Sequence, residues 1–348
     1  MGVKRYFLTH AVPGMVLAQA VRDFDGQVLI AAGTILSDEH LQLLKGTEIT
    51  KIEILEADCE QRLDLPVTFT TPYREIVKTV RKMFSQVRYL NLLQMQELKK
   101  VLHCWNEPWL NSAGVLPFLS LMRSEENYHF QHATNVAIIN GLLGKWMGLP
   151  PYVQQELILV GLLHDVGKSQ IPLEILNKPE RLDSNEMEMM REHAVKGFDL
   201  LKKTSGISSD VLLGVAQHHE RVDGSGYPLG LKAGNIHLYA RITAVADCYD
   251  AMTSDRVYYK HRTPFTVIEI IHSEMFSKLD PIISSVLMNQ IKNIFTGSMV
   301  LLSDGRQAEV VLLGSAITMR PTVRTNDGQF IDLEKNRALS IVALDNRH

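Results

Sequence analysis

The stretch Leu162-Leu163-His164-Asp165-Val166-Gly167-Lys168-Ser169-Gln170-Ile171-Pro172 decides how the rest of the chain is read. An apolar helical run, Leu157-Ile158-Leu159-Val160-Gly161-Leu162-Leu163, delivers His164 and Asp165 to its end, and a glycine and a lysine follow at once. Adjacent His164 and Asp165 offer one neutral imidazole and one carboxylate to the same small region. A carboxylate has two oxygens, so Asp165 is able to bridge two cations while His164 holds one of them. Zinc, iron and manganese accept such nitrogen and oxygen donors. A His-Asp pair alone is common at ordinary helix ends; its weight here comes from the residues around it.

Working outward, His132 falls in a helix expected over 129–147 and His193 in one over 186–203. His218 and His219 are neighbours near the end of a third, expected over 210–220. Asp247 follows the apolar run Ile242-Thr243-Ala244-Val245-Ala246 in a helix over 242–252. Burying a carboxylate in such a run is costly unless it is paired or metal-bound. A single helical histidine is by default a surface or satisfied core residue; His103, His237, His261 and His272 stay in that class, with His129 nearer the proposed site. The joint pattern of His-Asp, tandem His, isolated His on two other helices and an Asp in an apolar helix is hard to produce by accident. Lys168, one helical turn after Asp165, reaches the same mouth.

The chain has 348 residues, length enough for two or three domains. Apolar content is 45%, and the formal net charge of −3 excludes bulk electrostatic binding of nucleic acid. The three cysteines (Cys59, Cys104, Cys248) are scattered and odd in number, which argues for a reducing compartment rather than a disulfide framework. The first residues lack the apolar core of a signal peptide, and no window reaches the roughly 18 apolar residues of a membrane helix. The expectation is a soluble cytoplasmic protein.

The expected organisation is mainly α. Residues 1–60 read as a small α+β module, with strands near 15–18, 27–30 and 51–54 and a helix from Asp38 to Leu44 capped by Ser37. Residues 61–107 hold a linker up to about 72 and a long helix from Tyr73 to Trp105. Its apolar stripe Ile76, Val77, Val80, Met83, Phe84 and Val87 is read as core or homodimer packing. Residues 108–295 read as an all-helical bundle, and 296–348 as a small β appendage with turns at Asp304-Gly305 and Asp327-Gly328.

The strings HDVGKSQIP (164–172), HHERVDGSGYP (218–228) and ARITAVADCYDAMTSDR (240–256) resemble the HD-GYP phosphodiesterases, a bacterial branch of the HD superfamily. The likeness covers roughly 120–290. It implies a helical bundle whose metal centre hydrolyses cyclic di-GMP to pGpG and, in some members, on to GMP. By position it implies that Asp165 bridges two divalent transition-metal ions, iron or manganese ahead of zinc or nickel. His132, His164 and Asp247 then complete one ion's ligands, and His193, His218 and His219 the other's. Tyr128 stands where members with a third metal carry a glutamate, so two ions are implied and the second cleavage is in question.

The resemblance gives Lys168 to phosphate stabilisation or protonation of the leaving 3′-oxygen, alongside Asp165. Gly226 and Tyr227 are read as substrate contacts, Tyr227 stacking on or bonding to a guanine, with a bracing loop as the other reading. Arg256 and Lys260 suit substrate phosphate, although Val257 replaces the family's usual proline. Asp250 reads as a bracing carboxylate. The Tyr227 loop also suggests docking of GGDEF-type cyclases. The runner-up is a dinucleotide-sensing or partner-docking module with little turnover, and a third reading is a generic HD-superfamily nucleotidase or another cyclic dinucleotide as substrate.

Overall fold

A computed structural model describes residues 2–8, 15–22, 28–34, 36–45, 47, 49, 51–56, 67–93, 96, 98, 115–121, 128–253, 262–275, 277–313 and 320–344. The chain divides into two compact units, residues 1–64 and 65–347.

In the first unit, β1 (Gly2–Phe7), β2 (Val16–Leu17) and β5 (Lys51–Glu56) form an antiparallel sheet in the order β1-β5-β2. β3 (Val21–Arg22) and β4 (Val28–Ile30) pair separately. Helix α1 (Asp38–Lys45) closes the unit over a core that includes Leu17, Ile30, Leu36, Leu44 and Ile52. Ser37 Oγ accepts from His40 N–H at 3.3 Å, the side-chain cap that a serine at this position supplies. Strand β1 has no signature in its own sequence, because its pairing is with β5, some fifty residues away (Gly2 opposite Glu56).

The second unit is a helical bundle with one sheet. Helix α2 spans Val67–Leu90, which corrects the expected 73–105 at both ends. Pro72 lies inside it, in the second turn, where the missing N–H removes one bond to the carbonyl four residues back. It stops because Asn91 takes a left-handed φ of 50°, while its N–H still bonds Val87 O at 2.8 Å. Residues 94, 95, 97 and 99–105 of the expected helix lie outside the described residues. The whole apolar stripe from Ile76 to Val87 is buried in the core of the bundle.

Next come α3 (Val115–Leu121), α4 (Tyr128–Trp146) and α5 (Pro151–Leu163). From His132 to Gly144 every residue of α4 is buried, so it runs through the middle of the bundle. α4 and α5 cross closely because of Gly161: a Cβ there would lie 2.4 Å from Ala137 Cα. After α5 the chain tightens into a 3-10 turn, Val166–Gln170, and a short α6 (Leu173–Leu176).

The single helix expected over 186–203 is two: α7 (Ser184–Arg191), opened by an Asp183/Glu186 capping box, and α8 (His193–Lys202). Glu192 forms the joint, which places His193 in the first turn of α8. α9 spans Ser209–Gln217 and ends before His218 rather than at 220, and α10 runs Leu238–Thr253. α11 (Pro264–Glu274) and α12 (Pro281–Phe295) complete the helices.

Five antiparallel strands follow: β6 (Met299–Leu302), β7 (Gln307–Leu313), β8 (Pro321–Thr325), β9 (Phe330–Asp332) and β10 (Ile341–Leu344), in the order β10-β6-β7-β8-β9. Val300, Leu302, Val310, Val323 and Ile331 join the same apolar core as the helices, so the sheet belongs to this unit rather than standing apart. Among the described residues no helix is long and apolar enough to cross a membrane.

Candidate metal centre

Three helix termini and two helix interiors bring the expected donors to one place. The C-terminal end of α5 presents His164 and Asp165, the start of α8 presents His193, and the end of α9 presents His218 and His219. His132 comes from inside α4 and Asp247 from inside α10. Donor atoms of Asp165, His193, His218 and His219 lie within 4.8 Å of one another, as do those of His132, His164 and Asp165. Asp165 is common to both groups. Asp247 joins through His132, its Oδ1 lying 3.0 Å from His132 Nε2.

Backbone carbonyls fix the tautomers. His164 Nδ1 meets Gly161 O, His193 Nδ1 meets Met190 O, and His218 Nδ1 meets Val215 O, each at 2.7 Å. A carbonyl cannot donate, so each Nδ1 carries the hydrogen and each Nε2 is left with a lone pair. Those lone pairs turn inward. His193 Nε2 and His218 Nε2 face each other at 3.3 Å, His193 Nε2 lies 3.4 Å from Asp165 Oδ1, and His164 Nε2 lies 3.4 Å from Asp165 Oδ2. His164 Nε2 is buried with no hydrogen-bond partner.

Burial keeps the His193, His218 and His219 rings neutral. It pulls the His193 imidazole down to about 4, against the attraction of Asp165, and holds His218 and His219 well below the usual range. Burial works to raise Asp165, yet the adjacent Lys168 ammonium opposes it and the carboxyl lies well below its ordinary value. A buried carboxylate ringed by unprotonated imidazole nitrogens is an arrangement that requires a cation. Lys168 Nζ supplies one charge, donating to Asp165 Oδ2 at 2.6 Å.

His132 is held differently. Its Nδ1 lies 2.7 Å from Asp250 Oδ2, Asp250 Oδ1 accepts from Asn135 Nδ2 at 2.8 Å, and Asn135 Oδ1 accepts from Tyr73 O–H at 2.7 Å. Burial lowers its pKa, but the hydrogen bonds it donates to Asp247 and Asp250 outweigh that and bring the imidazole up to about 9. A carboxylate behind a histidine in this manner orients the ring and strengthens it as a ligand. The donor set of five imidazoles and two carboxylates, with an unpartnered buried nitrogen among them, fits divalent transition-metal ions.

The site is roofed by the loop after α9. Glu220, 2% exposed, accepts Leu229 N–H at 2.7 Å and Leu231 N–H at 2.8 Å, using both carboxylate oxygens. Gly226 folds against the chain beneath it: a Cβ would lie 2.4 Å from Arg221 N and 2.5 Å from His219 O. Tyr227 stacks on His219 with ring centres 4.6 Å apart, and Arg191 lies 5.3 Å from the Tyr227 ring centre. Burial raises the Tyr227 hydroxyl above its ordinary value, so it is a donor at neutral pH.

The structure therefore brings together His132, His164, Asp165, Lys168, His193, His218, His219, Gly226, Tyr227 and Asp247. Arg256 and Lys260 lie outside the described residues, as do His103 and His261. His129 is exposed, and His237 pairs with Asp210 at 3.5 Å. Tyr128 lies parallel to His132 with ring centres 5.8 Å apart. Asn135, Tyr73, Arg191 and the grip of Glu220 were missed by sequence reasoning. Asn135 was within reach, since it follows His132 by three residues on the same helix face, as Asp250 follows Asp247.

Residues 120–283 match the HD domain family. A cyclic di-GMP phosphodiesterase of Pseudomonas aeruginosa is 35% identical over 61% of this chain and 53% of its own length. Cyclic di-GMP phosphodiesterase PdeB of Borreliella burgdorferi is 30% identical over 66% and 61%, respectively. The 3′3′-cGAMP-specific phosphodiesterase 1 of Vibrio cholerae is 34% identical over 51% and 41%. The chain thus spans between about two fifths and three fifths of the length of these relatives. In fold it is similar to a solved HDG"Y"P protein from Bdellovibrio bacteriovorus, with a TM-score of 0.53 and 14% identity over 85% of this chain and 100% of that one.

Proposed function

Since residues 120–283 match the HD domain family, we propose that the chain is a metal-dependent phosphodiesterase that hydrolyses cyclic di-GMP to pGpG. The observation that carries this reading is the inward convergence of imidazole Nε2 lone pairs on Asp165, with His164 Nε2 buried and unpartnered. Names of relatives matched over half their length support the same substrate class.

Two divalent ions, iron or manganese ahead of zinc or nickel, are held in this proposal by His132, His164 and Asp247 on one side and His193, His218 and His219 on the other, with Asp165 between. Such ions supply Lewis acidity toward phosphoryl oxygens and acidify the attacking water. The rest is done by the chain. Lys168, anchored beside Asp165, donates to the phosphate or protonates the 3′-oxygen as its bond to phosphorus breaks and the bond from water's oxygen forms. Gly226 lets the loop lie close, and Tyr227, already stacked on His219, offers a ring face and a hydroxyl to a guanine. Arg256 and Lys260 are assigned to the substrate phosphates. The Asp250–Asn135–Tyr73 relay holds His132 in one orientation.

Residues 108–295 form the catalytic domain in this reading, with 1–60 and 296–348 as accessory segments joined by 61–107. Further parts of the proposal are a cytoplasmic location, docking of GGDEF-type cyclases at the Tyr227 loop, and pairing of two copies. Tyr128 in place of a third metal's glutamate favours pGpG as the product over further cleavage to GMP. A second substrate, 3′3′-cGAMP, is favoured by one specific observation, the name of the Vibrio cholerae relative.

Incubating purified protein with cyclic di-GMP and manganese or ferrous iron should yield pGpG, and replacing His164 and Asp165 by alanine should abolish it. Binding of the dinucleotide without turnover would favour the sensing module instead. Parallel incubation with 3′3′-cGAMP separates the two substrates.

A further inference from the structure

The turn that carries Lys168 is gripped from a distant part of the chain. Arg88, in the last turn of α2, donates from Nη1 to Ile171 O at 3.1 Å and from Nη2 to Lys168 O at 3.0 Å. One turn on, Asn91 Oδ1 accepts from Gln170 Nε2 at 2.8 Å. These three bonds fall on residues 168, 170 and 171, the downstream half of the 3-10 turn and its exit. A guanidinium presents its donors in a rigid planar fork. Aimed at two carbonyls of one turn, it fixes both the position and the tilt of that turn. The carbonyl it holds belongs to Lys168 itself, whose Nζ lies 2.6 Å from Asp165 Oδ2.

The same helix reaches the other half of the cluster. Near its start, Tyr73 heads the hydrogen-bonded relay through Asn135 and Asp250 to His132 Nδ1. One rigid element thus meets the donor cluster at two separate points. Its Arg88 end works on the side chain assigned to the leaving group, and the two hydrogen bonds Arg88 donates go to backbone carbonyls rather than to a proposed metal ligand.

We propose that Arg88 is a positioning residue: through the carbonyls of Lys168 and Ile171 it holds the Lys168 ammonium where the phosphodiester reacts. This rests on the phosphodiesterase reading and adds to it a residue outside all the motif strings.

The test uses the full chain. Arg88→Met should lower kcat about tenfold or more, with KM within about threefold. Metal content should be unchanged. Arg88→Lys should recover only part of the loss, because a single ammonium cannot span both carbonyls. In a Lys168→Met background, Arg88→Met should cost less than about twofold, since the residue it serves is gone. Full kcat in Arg88→Met, or an equal loss in both backgrounds, overturns the proposal. Hydrogen exchange on the metal-free protein gives a readout without turnover. Arg88→Met should speed exchange of the Lys168 and Ile171 amides by about tenfold while the Val310 amide in β7 is unmoved. If the wild-type protein hydrolyses no cyclic dinucleotide, the phosphodiesterase reading fails by itself. Unchanged exchange at Lys168 and Ile171 would then still refute the role of Arg88.

Discussion

Gly167→Ala is the sharpest perturbation of the proposed metal centre. A Cβ at position 167 would lie 1.9 Å from His193 O, 2.6 Å from Gly197 N and 2.8 Å from His193 C, all backbone atoms that no rotamer change can move. Ordinary contact begins at 3.4 Å, so the turn and α8 must part by about 1.5 Å. The first atom met belongs to His193, whose Nε2 is 3.4 Å from Asp165 Oδ1. Metal–ligand distances tolerate only about 0.2 Å, so a displacement several times larger removes His193 from shared ligation with Asp165. Overpacking of this kind costs about 1–3 kcal/mol, a fall in Tm of roughly 2–10 °C for a unit of this size, so the fold survives. Equilibrium dialysis against manganese should show one equivalent weakened about a hundredfold or more, while the ion on His132, His164 and Asp247 is largely kept. Gly234→Ala, whose Cβ would meet nothing within 4 Å, is the control. Two equivalents bound with wild-type affinity by Gly167→Ala would refute the reasoning.

Removing the carboxylate behind His132, as in Asp250→Asn, should weaken metal binding by about 10–100-fold with little change in helix content, measured by calorimetric titration. Manganese at about a hundred times its Kd should stabilise the metal-free protein by about 2.7 kcal/mol, a rise in Tm of roughly 5–10 °C, and His164→Ala with Asp165→Ala should erase that rise. Metal-free stability should fall as pH drops from 6.5 toward 4, because the unfolded chain takes up protons on His193, His218 and His219 that the folded chain refuses. His132, raised to about 9, acts oppositely: its contribution is complete below 6.5 and is lost as pH rises through 9. A urea midpoint that stays level from pH 7 to 4.5 would contradict this.

Much of the centre was legible because its chemistry is local. His164-Asp165 and His218-His219 are dipeptides, Lys168 is one turn from Asp165, and an acid at 247 breaks an apolar run. Periodicity also located α4 and α10 to within a few residues. What stayed hidden depends on contacts between distant segments. The joint at Glu192 interrupts a sequence with continuous helical character, and its purpose shows only once His193 is seen against Asp165. Strand β1 exists through its partner β5. Arg88 lies 80 residues from the carbonyl it serves, so no spacing rule could associate them.

The Lys168–Asp165 ion pair has a consequence for how the protein matures. With an internal ammonium neutralising the central carboxylate, the polypeptide can complete its fold before any metal arrives. On the metal-dependent reading, loading would then place ions on a carboxylate that already has a cationic partner. On that same reading, the metal-free protein would be folded yet inactive, awaiting only its ions.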